Sequence, residues 1–391
     1  MAKRANKEGT IAKRTDGRWE IKYYDIDDIR RTAYAKTQAD AREKLKDLKN
    51  QVDNGIDVTK SGTRFVDWLK TWLEVYSKPS IKLSTYGSYH TYIYKHIEPY
   101  FPKVLLKDLK PELLQKFLND KLKGGRLDNE NGGLSNNTVR KIKVMIGTAL
   151  KQAINNSLIN RNIADMVKLP NIEQQEMRVL SIKEQNALEE VCLSSSNLAA
   201  FGVYLSLNTG MRLGEILGLT WQNIDLSKGI IYVRQTLNRL KVYDSNKKTI
   251  IEIGTPKTKT SRRDIPIFES CRQKLFEYKE RQDKHIASMD GAFNDQGFVF
   301  ATPLGKYFEP KTFQDMFKRQ VKLAKINDTN FHATRHTFAT RSIEAGMDIL
   351  VLSRILGHAQ ASTTLNKYGH ALPDHKKNSM DKLEAYRNKT I

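Results

Sequence analysis

The chain has 391 residues, too many for one ordinary domain and enough for two or three. Hydrophobic residues make up 39%, which excludes wholesale disorder; the only cysteines, Cys192 and Cys271, exclude a disulfide framework and fit a reducing cytoplasm. A formal net charge of +22 calls for a polyanionic partner, of which phosphate backbones are the commonest.

Residues 1–60 read as a small β-rich unit followed by one helix. Gly9 to Lys13, Trp19 to Tyr24 and Arg30 to Ala35 are predicted strands, turned at Asp16-Gly17 and at Asp25, Asp27 and Asp28. A charged helix follows from about Thr37 to Gln51, with Ala41, Leu45 and Leu48 on one face. A sheet this small can lie in a DNA groove or bind protein. Residues 61–172 read as all helix. Phe65, Leu69, Trp72 and Leu73 form one stripe, and Ser84 is read as the N-cap of a tyrosine-rich segment ending near Pro99. Pro111 opens a third helix to Lys123, and Ser135 or Asn137 caps a long one to about Ile154. Residues 61–170 carry 18 Lys and Arg against 9 Asp and Glu. Their basic residues, Lys141 and Lys143 among them, suit a bundle that clasps phosphates, although a plain helical bundle accounts for any one helix.

From residue 173 to 391 the pattern becomes mixed α/β, with the boundary placed in the connection after Pro170. Helices are predicted at 181–193 and 198–219, strands at 229–236, 248–254 and 262–267, then helices at 311–325, 332–345 and 348–356. The predicted fold class is a multidomain α+β protein: a three-stranded sheet plus helix, an all-helical domain, and a mixed α/β domain with a C-terminal tail helix.

Phosphodiester cleavage builds negative charge on non-bridging oxygens, so it needs fixed cations, a nucleophile and an acid for the departing oxygen. Three segments of the last domain supply them. In Thr209-Gly210-Met211-Arg212-Leu213-Gly214-Glu215, Gly210 permits a tight turn, Arg212 sits at the mouth of a helix, and Glu215 shares its face. Alone, an arginine there is usually a surface residue. In Phe331-His332-Ala333-Thr334-Arg335-His336, His332 and Arg335 stand three apart on one helical face. His332 and His336 have the spacing of a zinc helix, but Ala333 occupies the position of the expected glutamate and Arg335 would repel a cation, so no metal is expected. The third segment holds Gly357-His358 and, ten residues on, Tyr368, with Ser and Thr between them.

Together, in the order Arg, His-x-x-Arg, His, Tyr, these segments resemble the tyrosine recombinases, the integrases and resolvases of phages and mobile elements. The resemblance spans roughly residues 60–380. It implies that Arg212 and Arg335 clamp the phosphate, His332 handles protons, His358 donates to the scissile phosphate, Tyr368 attacks and Glu215 supports Arg212. The family's hairpin lysine, which protonates the leaving 5′ oxygen, matches Lys257 in Gly254-Thr255-Pro256-Lys257-Thr258-Lys259, with Lys259 as the alternative. Many members have nine residues' separation where His358 and Tyr368 have ten, the longer spacing being shared by integrases that resemble those of conjugative transposons.

The resemblance further implies a 3′-phosphotyrosine intermediate without cofactor, metal or ATP, and a homotetramer working on double-stranded DNA through a four-way junction. Residues 61–172 would grip the core site, and residues 1–60 would bind arm sites, with Thr10, Arg14, Arg18 and Trp19 as candidates. The segment Leu372 to Arg387 reads as an amphipathic helix packing in cis or on a neighbouring protomer. An accessory directionality protein or a host DNA-bending protein is a further possible partner. No run of eighteen apolar residues is present and the charged N-terminus lacks the core of a secretion signal, so the expected place is the bacterial cytoplasm, on DNA. A type IB-like topoisomerase, a catalytically idle DNA-binding protein and a metal-dependent relaxase are the rival readings.

Overall fold

The computed structural model describes residues 8–60, 62–128, 131–171, 177–243, 247–254 and 261–368, with 380–381, 383–385 and 387–388 near the C-terminus. Two compact units divide the chain at residue 174, with residues 241–245 grouped with the first.

The first unit begins with the antiparallel sheet β1 (Thr10–Lys13), β2 (Trp19–Tyr24) and β3 (Arg30–Ala35), in that order. Lys13 pairs with Trp19, and Ile21 with Ala33. The period-2 alternation of β2 buries Ile21 and Tyr23 on one face, against which α1 (Gln38–Asp53) sets its buried Ala41. Thr37 starts α1 by accepting a hydrogen bond from the amide of Asp40.

The helical part holds α2 (Phe65–Thr71), α3 (Leu83–Thr91), α4 (Pro111–Lys123) and α5 (Asn136–Asn155). Both α2 and α3 run on into π-helical turns, to Ser77 and Ile97 respectively. The Phe65–Leu69–Trp72–Leu73 stripe is fully buried with Phe117, Ile142, Ile146 and Leu150, and Trp68 Nε1 donates to the Ala149 carbonyl at 2.9 Å. Ser135 caps α5, resolving the choice between Ser135 and Asn137. Ser84 does not cap α3. Lys82 is the N-cap, without a side-chain bond, and Ser84 lies inside the first turn, where its carbonyl accepts from Ser88 Oγ.

The second unit carries α6 (Ile182–Ser194), α7 (Phe201–Thr209), α8 (Leu213–Leu217), β4 (Ile224–Asp225), β5 (Ile230–Val233), β6 (Thr236–Lys241), β7 (Thr249–Gly254), β8 (Arg263–Pro266), α9 (Glu269–Ser288), α10 (Pro310–Leu323), α11 (His332–Glu344), α12 (Ile349–Leu356) and α13 (Ala361–Tyr368). The predicted helix over 198–219 is two helices, because Gly210 is left-handed at φ 67° and ends α7. The strand predicted over 229–236 divides into β5 and the start of β6. These belong to different sheets, β4-β5-β8 and β6-β7. The strands flanking residues 255–260 therefore pair with other strands, not with each other. Helix α9 is not among the predicted elements; it is strongly charged but buries Cys271, Leu275, Tyr278 and Gln282 along one stripe. One large apolar core, with Phe201, Leu205, Ile216, Ile231, Phe300 and Phe313, supports the sheet and helices.

Candidate active site

The turn between α7 and α8 places the first candidate. A side chain at Gly210 would be strained by its φ, and its Cβ would lie 2.6 Å from Phe338 and 2.8 Å from Leu356. Two residues later Arg212 is the N-cap of α8. Its amide donates to Glu215 at 2.9 Å and its guanidinium at 2.8 Å. Glu215 is buried and receives a second arginine. Arg263, on β8, sends Nη1 and Nη2 to the two carboxylate oxygens at 3.0 and 2.8 Å, and its Nε to the Ile355 carbonyl. Burial opposes the charge of Glu215, but the bonds and attraction from Arg263, together with Arg212, hold its carboxyl down to about 2. Arg212 itself keeps about a third of its side chain open to solvent.

Helix α11 places the second group. Thr334 Oγ1 lies 2.7 Å from Ser206 Oγ, and Thr337 Oγ1 accepts from the Leu180 amide, which fixes the helix against α7 and the segment before α6. Among the described residues Arg335 is the largest fully buried side chain. It donates from Nη1 to the Gly210 carbonyl at 2.8 Å, and from Nη2 to the Leu356 carbonyl at 2.7 Å and to His358 Nε2 at 3.0 Å. Burial and then the neighbouring Arg212 bring it down to about 9. It stays charged near neutrality. His332 reaches solvent one turn before; its crowded surroundings and Arg335 push it to about 4. Its ring meets that of His336 edge-on at 4.5 Å.

Helices α12 and α13 place the third. Gly357, left-handed at φ 67°, ends α12 and turns the chain so that His358 faces Arg335. With Nε2 accepting from Arg335, the ring proton belongs on Nδ1, which pairs with Thr364 Oγ1 at 2.7 Å. Burial and Arg335 drive His358 down to about 3, so it is neutral at pH 7. Tyr368, 1% exposed, ends α13 with its Oη 2.6 Å from His336 Nδ1. Burial raises its phenol, while Arg335 and Arg212 pull the other way. Two guanidinium groups, a neutral histidine and a phenol thus converge in a form that can receive an anionic tetrahedral group. Among the described residues no group of three or more His, Cys, Asp or Glu could hold a metal.

The family model for the phage integrase family matches residues 171–375, more than half of the chain, and a phage integrase N-terminal SAM-like domain matches 64–122. The chain belongs to the phage integrase family. It is a tyrosine site-specific recombinase, and the sheet-plus-helix, SAM-like helical and α/β catalytic arrangement is that of this family. It is 29% identical over 372 residues to a XerC-like tyrosine recombinase of Caldanaerobacter subterraneus, with 91% of each chain covered. It is 26% identical over 420 residues to the transposase of transposon Tn916 from Enterococcus faecalis, covering 97% of this chain and 96% of that one. The Tn1549 transposon integrase, solved with a circular intermediate DNA, matches with a TM-score of 0.65 at 22% identity, over 82% of this chain and 99% of that one. A lambda integrase tetramer bound to a Holliday junction matches at 0.55 and 18% identity, over 94% and 97%.

Of the residues singled out from the recombinase's sequence, Arg212, Glu215, Arg335, His358 and Tyr368 lie in this linked network, with His332 at its solvent edge. Lys257 and Lys259 lie outside the described residues, as does most of the tail segment from Leu372; Met380 and Leu383 are described and exposed. Arg14 and Arg18 are exposed, pair with Asp16, and lie over the Tyr34 ring; Trp19 is half-buried at the start of β2. Lys141 is exposed on α5, whereas Lys143 donates to the Val167 carbonyl at 2.6 Å and lines an open groove with Arg140, Lys151 and Lys168. Two participants were missed. Arg263 falls within the strand predicted over 262–267 without a role of its own, although the alternation that buries Ile265 places it on the same inward face. His336 was weighed only as a zinc ligand; nothing local in the sequence shows that it meets Tyr368.

Proposed function

We propose that this recombinase integrates and excises a mobile element by cutting and rejoining double-stranded DNA through a 3′-phosphotyrosine at Tyr368. The observation that carries the reading is the role of Arg335 as a hub: its guanidinium joins the Gly210 turn, which presents Arg212, to His358, while the next residue of α11 holds Tyr368. Arg212 and Arg335 bind the non-bridging oxygens, prearranged by Glu215 and by backbone carbonyls, so little reorganisation is needed as charge develops. His358 joins them when the Arg335 Nη2 turns from Nε2 to a phosphate oxygen and the ring gains a proton there. His332, at the solvent edge, handles protons, and Lys257 protonates the departing 5′ oxygen. The link keeps the phosphodiester's bond energy for rejoining.

Residues 61–172 grip the core site through the basic groove on α5, and residues 1–60 bind arm sites through Arg14, Arg18 and Trp19. The family's solved members include a lambda integrase tetramer on a Holliday junction, and the same assembly and a four-way intermediate are proposed here, with a directionality or DNA-bending protein assisting. Among the described residues no helix is long and apolar enough to cross a membrane, and the proposed place of work is DNA in the bacterial cytoplasm.

The test uses a nicked suicide duplex carrying the element's own end. Wild type is expected to form a covalent, protease-sensitive adduct without magnesium, and Tyr368→Phe none. An adduct in the variant moves the nucleophile elsewhere, and tight binding without an adduct from wild type favours a DNA-binding protein.

A further inference from the structure

Attack by a neutral phenol requires a place for its proton. In this active site the hydrogen-bond partner of Tyr368 Oη is His336 Nδ1, at 2.6 Å, and both side chains are buried. Among the described residues, the other candidate bases are engaged elsewhere or set apart from Tyr368. Glu215 is held by Arg212 and Arg263, and His358 by Arg335 on one ring nitrogen and Thr364 on the other. His332 packs edge-on against His336, leaving His336 between it and Tyr368.

We propose that His336 is the proton acceptor for Tyr368, a catalytic residue beyond the arginines, His332, His358 and the lysine. The proposal rests on the reading of Tyr368 as the nucleophile. During cleavage the Oη–P bond forms and the P–O5′ bond breaks, while the phenolic proton passes to Nδ1 and the 5′ oxygen takes its proton from a separate acid. Rejoining runs the same path backwards: the 5′ hydroxyl attacks phosphorus and the His336 imidazolium returns the proton to the leaving phenolate. The surroundings suit the role. Burial, and then His332, Lys367 and Arg335, bring His336 down to about 4, so the resting ring is neutral and ready to accept. A phosphodiester bound at Arg335 places negative charge among those cations and raises the basicity of the ring when it is needed. His332 and Arg335 act from α11 itself, Lys367 and Tyr368 from α13.

The experiment measures single-turnover adduct formation on the suicide duplex for wild type, His336→Asn and His336→Gln, each with tyrosine or a fluorinated, more acidic tyrosine at position 368. DNA binding and thermal melting are followed in parallel, and the glutamine variant carries the test if the asparagine variant unfolds. The amides can accept a hydrogen bond but not a proton. Their rate is expected to fall about 10²-fold or more, within the usual contribution of a general base. The fluorinated tyrosine should recover far more of that rate in the amide variants than it adds to wild type, a rescue that a purely structural histidine would not give. Cleavage by the folded amide variants at the wild-type rate would overturn the proposal, as would an equal response of all three proteins to fluorination. Tyr368→Phe run alongside separates this failure from failure of the nucleophile assignment.

Discussion

Among the described helices, α5 and α11 each bury the most residues of their unit, and they bury opposite chemistries. Helix α5 hides Val139, Ile142, Met145, Ile146, Ala149, Leu150 and Ala153, a stripe with no polar side chain. Helix α11 hides Thr334, Arg335, His336, Thr337, Thr340 and Ser342 among a few alanines and Ile343. Apolar burial asks only for volume and shape, and a neighbour that shifts slightly can make good a lost methyl group. Polar burial asks for a partner at a fixed distance and angle, and a missing partner costs the full desolvation of what remains. Most of the buried polar groups of α11 have such partners, with Thr340 Oγ1 an exception among the described residues. The helix of the candidate active site is held by direction, and the helix of the bundle is held by bulk.

The sharpest way to break this contrast is Arg335→Ala. It removes a proposed phosphate ligand and strands the carbonyls of Gly210 and Leu356, so single-turnover cleavage should fall by roughly 10²–10³-fold or more, with a lower melting temperature. A variant that cleaves normally would show that the hub is dispensable. Next, Arg263→Leu leaves buried Glu215 with Arg212 as its one partner. Stability in a denaturant titration should drop by roughly 3–5 kcal/mol, and Arg263→Leu combined with Glu215→Gln should recover part of it. Leu150→Ala tests the other side. It should cost about 2–5 kcal/mol while leaving the cleavage rate of the folded protein unchanged; a slowed rate below the melting transition would erase the distinction between the helices.

The smallest effect is a pH dependence. His332, His336 and His358 sit at about 4, 4 and 3 when folded, against 6.5 when free. Between those values the unfolded chain binds the protons, so stability should rise with pH from about 3 to 6.5 and flatten above. Denaturant midpoints across that range check it. His336→Phe should shallow the slope, whereas a stability that climbs on acidification would contradict the lowered basicity of these rings.

The same contrast explains what could be read from sequence alone. The stripe of α5, the strands β1 to β3 and the order Arg212, His332, Arg335, His358, Tyr368 were legible, because period and spacing are local properties. The long reading of 198–219 failed where one left-handed glycine decided the matter. Helix α9 was overlooked because its charged residues outnumber a buried stripe of four, Cys271, Leu275, Tyr278 and Gln282. Arg263 and His336 stayed hidden for a different reason. Their importance lies in partners 48 and 32 residues away, and a lone sequence does not say which distant side chains meet.

The bond from Arg335 to the Gly210 carbonyl spans 125 positions of the chain, and that distance matters during synthesis. A ribosome releases the turn that presents Arg212 long before it releases α11, α12 and α13. Until then the growing chain carries its first guanidinium but neither the hub that anchors the turn nor the phenol proposed to attack. A polypeptide interrupted between 215 and 331 would lack Arg335, His358 and Tyr368 together, so on the roles proposed above it would form no covalent link to DNA.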